Sequence, residues 1–311
     1  MNHIAVVIPV LNEELIIDEL IQRVSKSVIQ ISESFQIIIV DDGSTDKTWT
    51  KIVNCAQIYP KIHGIRFSRN FGHHYAISAG LKYVEADWVI VMDGDLQDRP
   101  EIIPILYQEA VKGFDIVFVS RINRTESIYY KVLQRLFYVA LRILSGIKFD
   151  SKQANFSIIS RKVVNAFNNF PEYSRFYGST VNWLGFKKSF IFADHGKRLL
   201  GKPSYTLRKR FKLAADIILS FSDRPLHFAI YLGIFSSGVA LMYMIWILIG
   251  VKFHGFSVQG WPSLMAVSLF LGGAILIILG IIGSYLSRIF LEVKSRPLYL
   301  VSDEIVSSKK N

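Results

Sequence analysis

The sequence predicts an α/β domain on a mostly parallel β-sheet with helices on both faces, followed by two transmembrane helices. Short β-branched runs alternate with helix-like stretches through roughly the first 120 residues, a pattern that yields right-handed βαβ units. Two late runs, 228–251 and 263–287, contain no Asp, Glu, Lys or Arg. Of the 311 residues, 51% are hydrophobic, which supports a sizeable core and excludes a largely disordered chain.

The predicted strands are 4–9, 36–40, 62–67, 88–92 and 115–119, and the predicted helices between them are 13–31, 46–58, 73–85 and 100–112. Ligands of such sheets bind beyond the carboxyl ends of the strands, so the loops that leave the strands carry the information. After Ser120 the pattern changes. Residues 127–145 are helical in period, with aromatic residues among Lys131, Arg135 and Arg142; this suits a membrane headgroup layer, or an ordinary helix with a solvated basic side. A second interface candidate, 205–221, carries Arg208, Lys209, Arg210 and Lys212.

At about 1.5 Å per residue, each charge-free run spans roughly 36 Å, enough for a hydrocarbon core of about 30 Å. Lys197, Arg198, Lys202, Arg208, Lys209, Arg210, Lys212 and Arg224 precede the first run, and Arg288, Lys294 and Arg296 follow the second. Only Lys252 is basic between them. The positive-inside rule then places both termini in the cytoplasm. The start, MNHIAVVIPVLNEE, reads as a strand and not as a signal peptide, so the soluble portion is expected to stay in the cytoplasm. The expected division is 1–125, a ligand-binding portion; 126–225, a portion with interface helices; 226–288, two spans; and 289–311, a cytoplasmic tail. Gly233/Ser237 and Gly280/Ser284 lie at helical spacing and can pack helices within or between subunits, which suggests a homo-oligomer.

Cys55 is the only cysteine, which excludes an intrachain disulfide and a thiol-ligated cluster and fits a reducing compartment. The formal net charge is +11. Nucleic acid is one partner for such a charge, but the basic residues crowd beside the spans, where anionic headgroups attract them. No nucleic-acid partner is expected.

The first predicted strand runs into Pro9-Val10-Leu11-Asn12-Glu13-Glu14 and the second into Val40-Asp41-Asp42-Gly43-Ser44-Thr45-Asp46. Carboxylates at strand ends can accept hydrogen bonds from a base or ribose; equally, Asp41 to Asp46 can form a capped turn. The fourth delivers Met92-Asp93-Gly94-Asp95-Leu96-Gln97-Asp98. Asp93 and Asp95 with the Gln97 amide make an oxygen-only set suited to Mg²⁺ or Mn²⁺ bridging a diphosphate, and unsuited to zinc.

IPVLNEE, VDDGSTD, FSRNFGHHYAISAGL and MDGDLQDRPE, in that order, resemble family-2 glycosyltransferases of the GT-A fold. Ser120-Arg121, Arg198, Gly201, Ser204-Tyr205, SFSDRPL before the spans and RPLYLV after them extend the resemblance over residues 4–301 to bacterial polyprenyl-phosphate glycosyltransferases and dolichol-phosphate mannosyltransferases. The QxxRW motif usual in processive synthases does not occur. The resemblance implies a metal and diphosphate cluster of Asp93, Asp95 and Gln97. It implies a nucleotide-sugar pocket of Pro9, Leu11, Glu13, Val40, Asp41, Asp42, Asp93 and Gly94. Arg121 and Arg198 align with basic residues near the donor and acceptor phosphates, with Arg124 close in sequence. Lys197 or Lys202 stands in for a lysine of the relatives' Gly-x-Ser-Lys-Tyr, beside Ser204. Arginine suits this work because its planar fork pairs two phosphate oxygens.

The expected activity is therefore an inverting transfer from a nucleoside-diphosphate sugar, UDP-linked by preference, to polyprenyl phosphate at the bacterial inner membrane, for cell-envelope glycan modification. Leu11 stands where relatives often have an aromatic residue, Arg99 where a proline is common, and Asn155-Phe156-Ser157-Ile158 where many have Asp-Phe-Arg-Leu. An acid or base role for that Asp does not transfer to Asn155. A lipid phosphate, with a second pKa near 6, is already mostly ionised at about pH 7 and needs positioning more than deprotonation. A hydroxyl of a lipid-linked saccharide is the rival acceptor, and a membrane scaffold with a degenerate site the rival class.

Overall fold

A computed structural model describes residues 3–122, 153–170, 172, 175–194, 222–254 and 260–306. The chain forms two units: Met1–Tyr130 with Phe149–Ser204 and Arg296–Asn311, and Lys131–Lys148 with Tyr205–Ser295.

The first unit holds strands β1 (Ile4–Val10), β2 (Phe35–Asp41), β3 (Ile62–Phe67), β4 (Trp88–Val91), β5 (Ile116–Ile122), β6 (Gln153–Ser160), β7 (Lys188–Asp194) and β8 (Val301–Val306). Its α-helices are α1 (Ile17–Val28), α2 (Thr48–Ile58), α3 (His73–Lys82), α4 (Ile103–Ala110), α5 (Arg161–Asn168) and α6 (Tyr177–Trp183). One eight-stranded sheet runs β7-β5-β6-β4-β1-β2-β3-β8. The centre is the expected parallel sheet, with β1 between β2 and β4 and β3 beyond β2. The flanks are mixed. β6 enters antiparallel between β4 and β5, and β8, from the end of the chain, closes the far edge antiparallel to β3.

β1 shows why the centre reads as an unbroken apolar run: it is buried on both faces. Ile4, Val6 and Ile8 pack with residues of α1, α2 and α4. Ala5 and Val7 pack with residues of α3, α5 and α6. The loops that leave β1, β2 and β4 are thus carried at one end of a rigid sheet.

The second unit contains α7 (Arg224–His254) and α8 (Trp261–Lys294). Both are long and apolar enough to cross a membrane, and hardly any of their most apolar windows is buried. A helix that is apolar all round and uncovered by protein suits lipid. Within this unit the Tyr285 hydroxyl donates to the Ser222 carbonyl at 2.6 Å. A Cβ at Gly233 or Gly280 would meet no atom within 4 Å. The two predicted interface helices, 127–145 and 205–221, lie outside the described residues.

Candidate active site

The loops after β1 and β2 are stitched together by short-range polar contacts. Asn12 N–H donates to Ser44 Oγ at 2.9 Å, and Thr45 N–H donates back to Asn12 Oδ1 at 2.9 Å. Glu13 N–H donates to Thr48 Oγ1 at 2.9 Å, and Asp46 Oδ1 accepts from Thr48 N–H at 2.9 Å. Asp46 therefore serves the first turn of α2, as the capped-turn reading expects. Pro9 pairs with Val40, and Val10 with Asp41, so the two loops leave the sheet at the same level. Pro9 and Val40 are buried in the strands, Glu13 is half-buried, and Leu11 is exposed beside them.

Asp41 and Asp42 differ in their work although they are neighbours. Asp42 accepts from Phe71 N–H at 2.8 Å through Oδ1 and from Gly72 N–H at 3.0 Å through Oδ2. It latches the loop that leads into α3. Asp41 Oδ1 accepts from Ser44 N–H at 2.8 Å, while Oδ2 is buried without a hydrogen-bond partner, with Arg66 Nε 3.6 Å away. Burial pushes the carboxyl pKa of Asp41 up, outweighing its contacts with Ser44 and Arg66. Gly43, between Asp42 and Ser44, has φ +74°, and a Cβ there would come within 2.4 Å of the Arg69 carbonyl carbon. Only glycine fits this approach.

The loop after β4 carries Asp93, Gly94, Asp95 and Gln97. A Cβ on Gly94 would meet Val10 Cγ1 at 2.6 Å and Pro9 O at 3.1 Å, so the loop leans on the end of β1. Asp95 Oδ1 accepts from Gln97 N–H at 3.1 Å. His73 Nε2 lies 3.1 Å from Asp93 Oδ1 and 3.2 Å from Asn155 Nδ2. Burial lowers the His73 pKa, but Asp93, then Asp42 and Asp95, outweigh it and hold the imidazole above its ordinary value. The next side chain is different: His74 is held neutral, its pKa pushed down to about 3 by burial, with its ring edge-on to Phe176 at 5.3 Å.

Among the described residues, no three His, Cys, Asp or Glu side chains are gathered closely enough to hold a metal by themselves. Asp93 and Asp95 nevertheless fit a hard cation completed by a ligand, because Mg²⁺ and similar ions commonly use one or two protein carboxylates together with substrate phosphates. The fold thus brings together Pro9, Leu11, Glu13, Val40, Asp41, Asp42, Asp93, Gly94, Asp95 and Gln97 at the carboxyl ends of β1, β2 and β4. Arg121 lies in β5 by its backbone, its side chain not described; Arg124, Lys197, Arg198, Lys202 and Ser204 lie outside the described residues. Sequence reasoning gave no role to His73. Its place in FSRNFGHHYAISAGL, at the start of a helix following a strand, was the available signal.

The sequence profile of glycosyl transferase family 2 matches residues 5–175, the span containing every described residue of this site. The chain belongs to this family. This family-2 glycosyltransferase is 37% identical over 298 residues to the uncharacterized glycosyltransferase YkcC of Bacillus subtilis, covering 96% of this chain and 92% of that one. The SfII prophage-derived bactoprenol glucosyl transferase of Shigella flexneri is 34% identical over 303 residues, covering 96% and 97%. The whole-chain resemblance to polyprenyl-phosphate glycosyltransferases therefore includes the apolar helices. Among solved structures, the mannosyltransferase PcManGT of Pyrobaculum calidifontis, in complex with GDP-Man and Mn²⁺, has a TM-score of 0.49 at 15% identity, covering 93% of this chain and 84% of that one.

Proposed function

We propose that this glycosyltransferase moves a hexose from a nucleoside-diphosphate sugar, UDP-linked by preference, to polyprenyl phosphate in the bacterial inner membrane. The observation that carries the reading is the 34% identity, over 96% of the chain, to a relative named for bactoprenol and glucose. In this reading Asp41 and Asp42, with Pro9, Leu11, Glu13 and Val40, form the nucleotide pocket. Asp93, Asp95 and Gln97 face the diphosphate and would hold Mg²⁺ or Mn²⁺. When bound, such an ion offsets charge on the departing diphosphate.

The reaction is one displacement. A lipid-phosphate oxygen forms the new bond to the anomeric carbon as the bond to the donor diphosphate breaks, and the nucleoside diphosphate leaves with the electron pair. Configuration inverts. The acceptor oxygen is already ionised near pH 7, which suits a site where Asn155 stands beside His73. Arg121, Arg124, Lys197, Arg198, Lys202 and Ser204 are assigned to the donor and acceptor phosphates on the strength of the sequence resemblance.

Connectivity supports the anchoring in this reading. β3 and β8 pair in one sheet, so both lie on the same side of any membrane, and the chain between them crosses an even number of times. With the two apolar helices as the candidate spans among the described residues, both cross or neither does. Their uncovered apolar surface favours both, and the flanking basic residues favour a cytoplasmic sheet. Detergent-purified protein, given a panel of nucleotide sugars with divalent metal, should release nucleoside diphosphate from one donor only when undecaprenyl phosphate is present. Release that ignores the lipid phosphate but responds to a lipid-linked saccharide would move the acceptor to a hydroxyl.

A further inference from the structure

Asp41, Arg66 and Asp303 stand side by side on three neighbouring strands. In the parallel pairing of β2 with β3, Arg66 is opposite Asp41, and in the antiparallel pairing of β3 with β8 it is opposite Asp303. Directly opposite residues share a face of the sheet, so one cation lies between two carboxylates. Arg66 Nε is 3.6 Å from the buried Asp41 Oδ2, and Nη1 is 3.9 Å from Asp303 Oδ2. Nη2 donates to the Ser44 carbonyl at 3.4 Å, and the guanidinium lies 5.9 Å from the centre of the Trp49 ring. Ser44 in turn donates its N–H to Asp41 Oδ1 and accepts from Asn12 N–H through Oγ. Arg66 thus reaches both ends of the turn from Asp41 to Ser44, the turn that ties the loop after β2 to the loop after β1. The Asp303 side is held as well: Ser302 Oγ lies 2.8 Å from Asp303 Oδ2 and 3.4 Å from the Arg66 carbonyl oxygen.

We propose that Arg66 is a positioning residue of the donor pocket, holding the buried Asp41 carboxylate in place and balancing its charge as an acceptor for the nucleoside, with Asp303 steadying Arg66 from β8. The role rests on the assignment of Asp41 to the nucleotide pocket. A buried carboxylate is costly unless it is paired or hydrogen-bonded. Ser44 N–H satisfies Oδ1, and Arg66 offsets the charge at Oδ2 without donating a hydrogen bond to it. Asp41 therefore keeps an acceptor that the protein itself does not use. In this arrangement β8, which follows the second apolar helix in the chain, does more than close the edge of the sheet: its Asp303 limits where the long Arg66 side chain can go.

The test titrates the full chain in detergent by calorimetry with UDP and, alongside, GDP, each with Mn²⁺, and uses thermal melting as the control for folding. Arg66→Met keeps an apolar stem and removes the charge; Arg66→Lys keeps a charge. A residue that works through Asp41 loses its effect once the Asp41 carboxylate is gone. Arg66→Met should weaken binding about tenfold in the wild-type background and less than about twofold in Asp41→Asn, while Arg66→Lys stays within about threefold of wild type. If Arg66→Met does not fold, Arg66→Gln replaces it in both backgrounds. Where Asp41→Asn itself binds more weakly than wild type, three results overturn the role of Arg66 and leave the site reading standing: an equal loss in both backgrounds, no loss in either, or Arg66→Lys as weak as Arg66→Met. Unchanged binding in Asp41→Asn, or no binding of either nucleotide by wild type, overturns both.

Discussion

Gly94 and Val10 are packed so closely that a Cβ on Gly94 would sit 2.6 Å from Val10 Cγ1. This contact joins the loop that bears Asp93 and Asp95 to the strand that bears Pro9 and Leu11. Gly94→Ala must push the loop away, since the Pro9 carbonyl oxygen, at 3.1 Å, also crowds the added carbon. The expected loss is about 1–3 kcal/mol of stability, with donor turnover down by up to about 100-fold, because displacements near 1 Å can have that effect. Thermal melting and donor-consumption rates check the two parts; wild-type turnover in Gly94→Ala would show that the loop carries no chemistry.

Asp41 and Asp42 should separate cleanly on substitution. Asp42→Ala strips the acceptor from the N–H groups of Phe71 and Gly72, at about 1–3 kcal/mol. Burial raises the pKa of both carboxyls, but both oxygens of Asp42 accept N–H bonds whereas Oδ2 of Asp41 is buried without a hydrogen-bond partner. The folded pKa of Asp41 lies above the ordinary 3.8 because of burial, so the folded state holds the proton more tightly than the unfolded chain and the ionised form opposes folding at pH 7. Asp41→Asn should leave the melting temperature at pH 7 unchanged or higher, and Asp42→Ala should lower it. Nucleotide titration should show weaker binding in Asp41→Asn; undiminished binding would remove Asp41 from the pocket.

Cys55 should be chemically quiet. It is buried, its Sγ lies 3.4 Å from Asp18 Oδ1, and burial, with help from Asp18, pushes the thiol up from 9.0 to about 11. Two pKa steps mean about 100-fold less thiolate at pH 8. Alkylation of the folded chain should be slower by at least that factor than alkylation in denaturant. The thiol favours the folded state below about pH 9, and that contribution fades as pH rises through about 11.

The closing strand should matter to the fold. Tyr299 stacks on the fully buried Phe67 at 4.8 Å, and Glu304 Oε1 on β8 lies 2.8 Å from His63 Nε2 on β3. Tyr299→Ala should lower stability by about 2–3 kcal/mol, seen as a drop in melting temperature. Unchanged melting would mean that β8 is a loosely held edge.

The central sheet was legible because its strands are buried on both faces and spell continuous Val and Ile runs, as in Ile4–Val10 and Phe35–Asp41. Helix starts were less so. The predicted helix 13–31 begins at Ile17, because the N–H groups of Glu13 and Glu14 are taken by Thr48 and Asp46 from another loop. β8 was hidden: Val301–Val306 is a largely exposed edge strand with two acidic residues at its centre. The aspartates of the candidate site were readable as local motifs. His73 was not, since its relation to Asp93 and Asn155 exists only once α3, β4 and β6 are assembled.

The most direct measurement is transfer of labelled sugar from the donor into the lipid fraction, with undecaprenyl phosphate as sole acceptor, by wild type and Asp95→Asn. The account predicts a metal-dependent sugar phosphate lipid with wild type and loss of transfer in a folded Asp95→Asn. Transfer undiminished in Asp95→Asn, or no label in the lipid fraction with wild type, would contradict it.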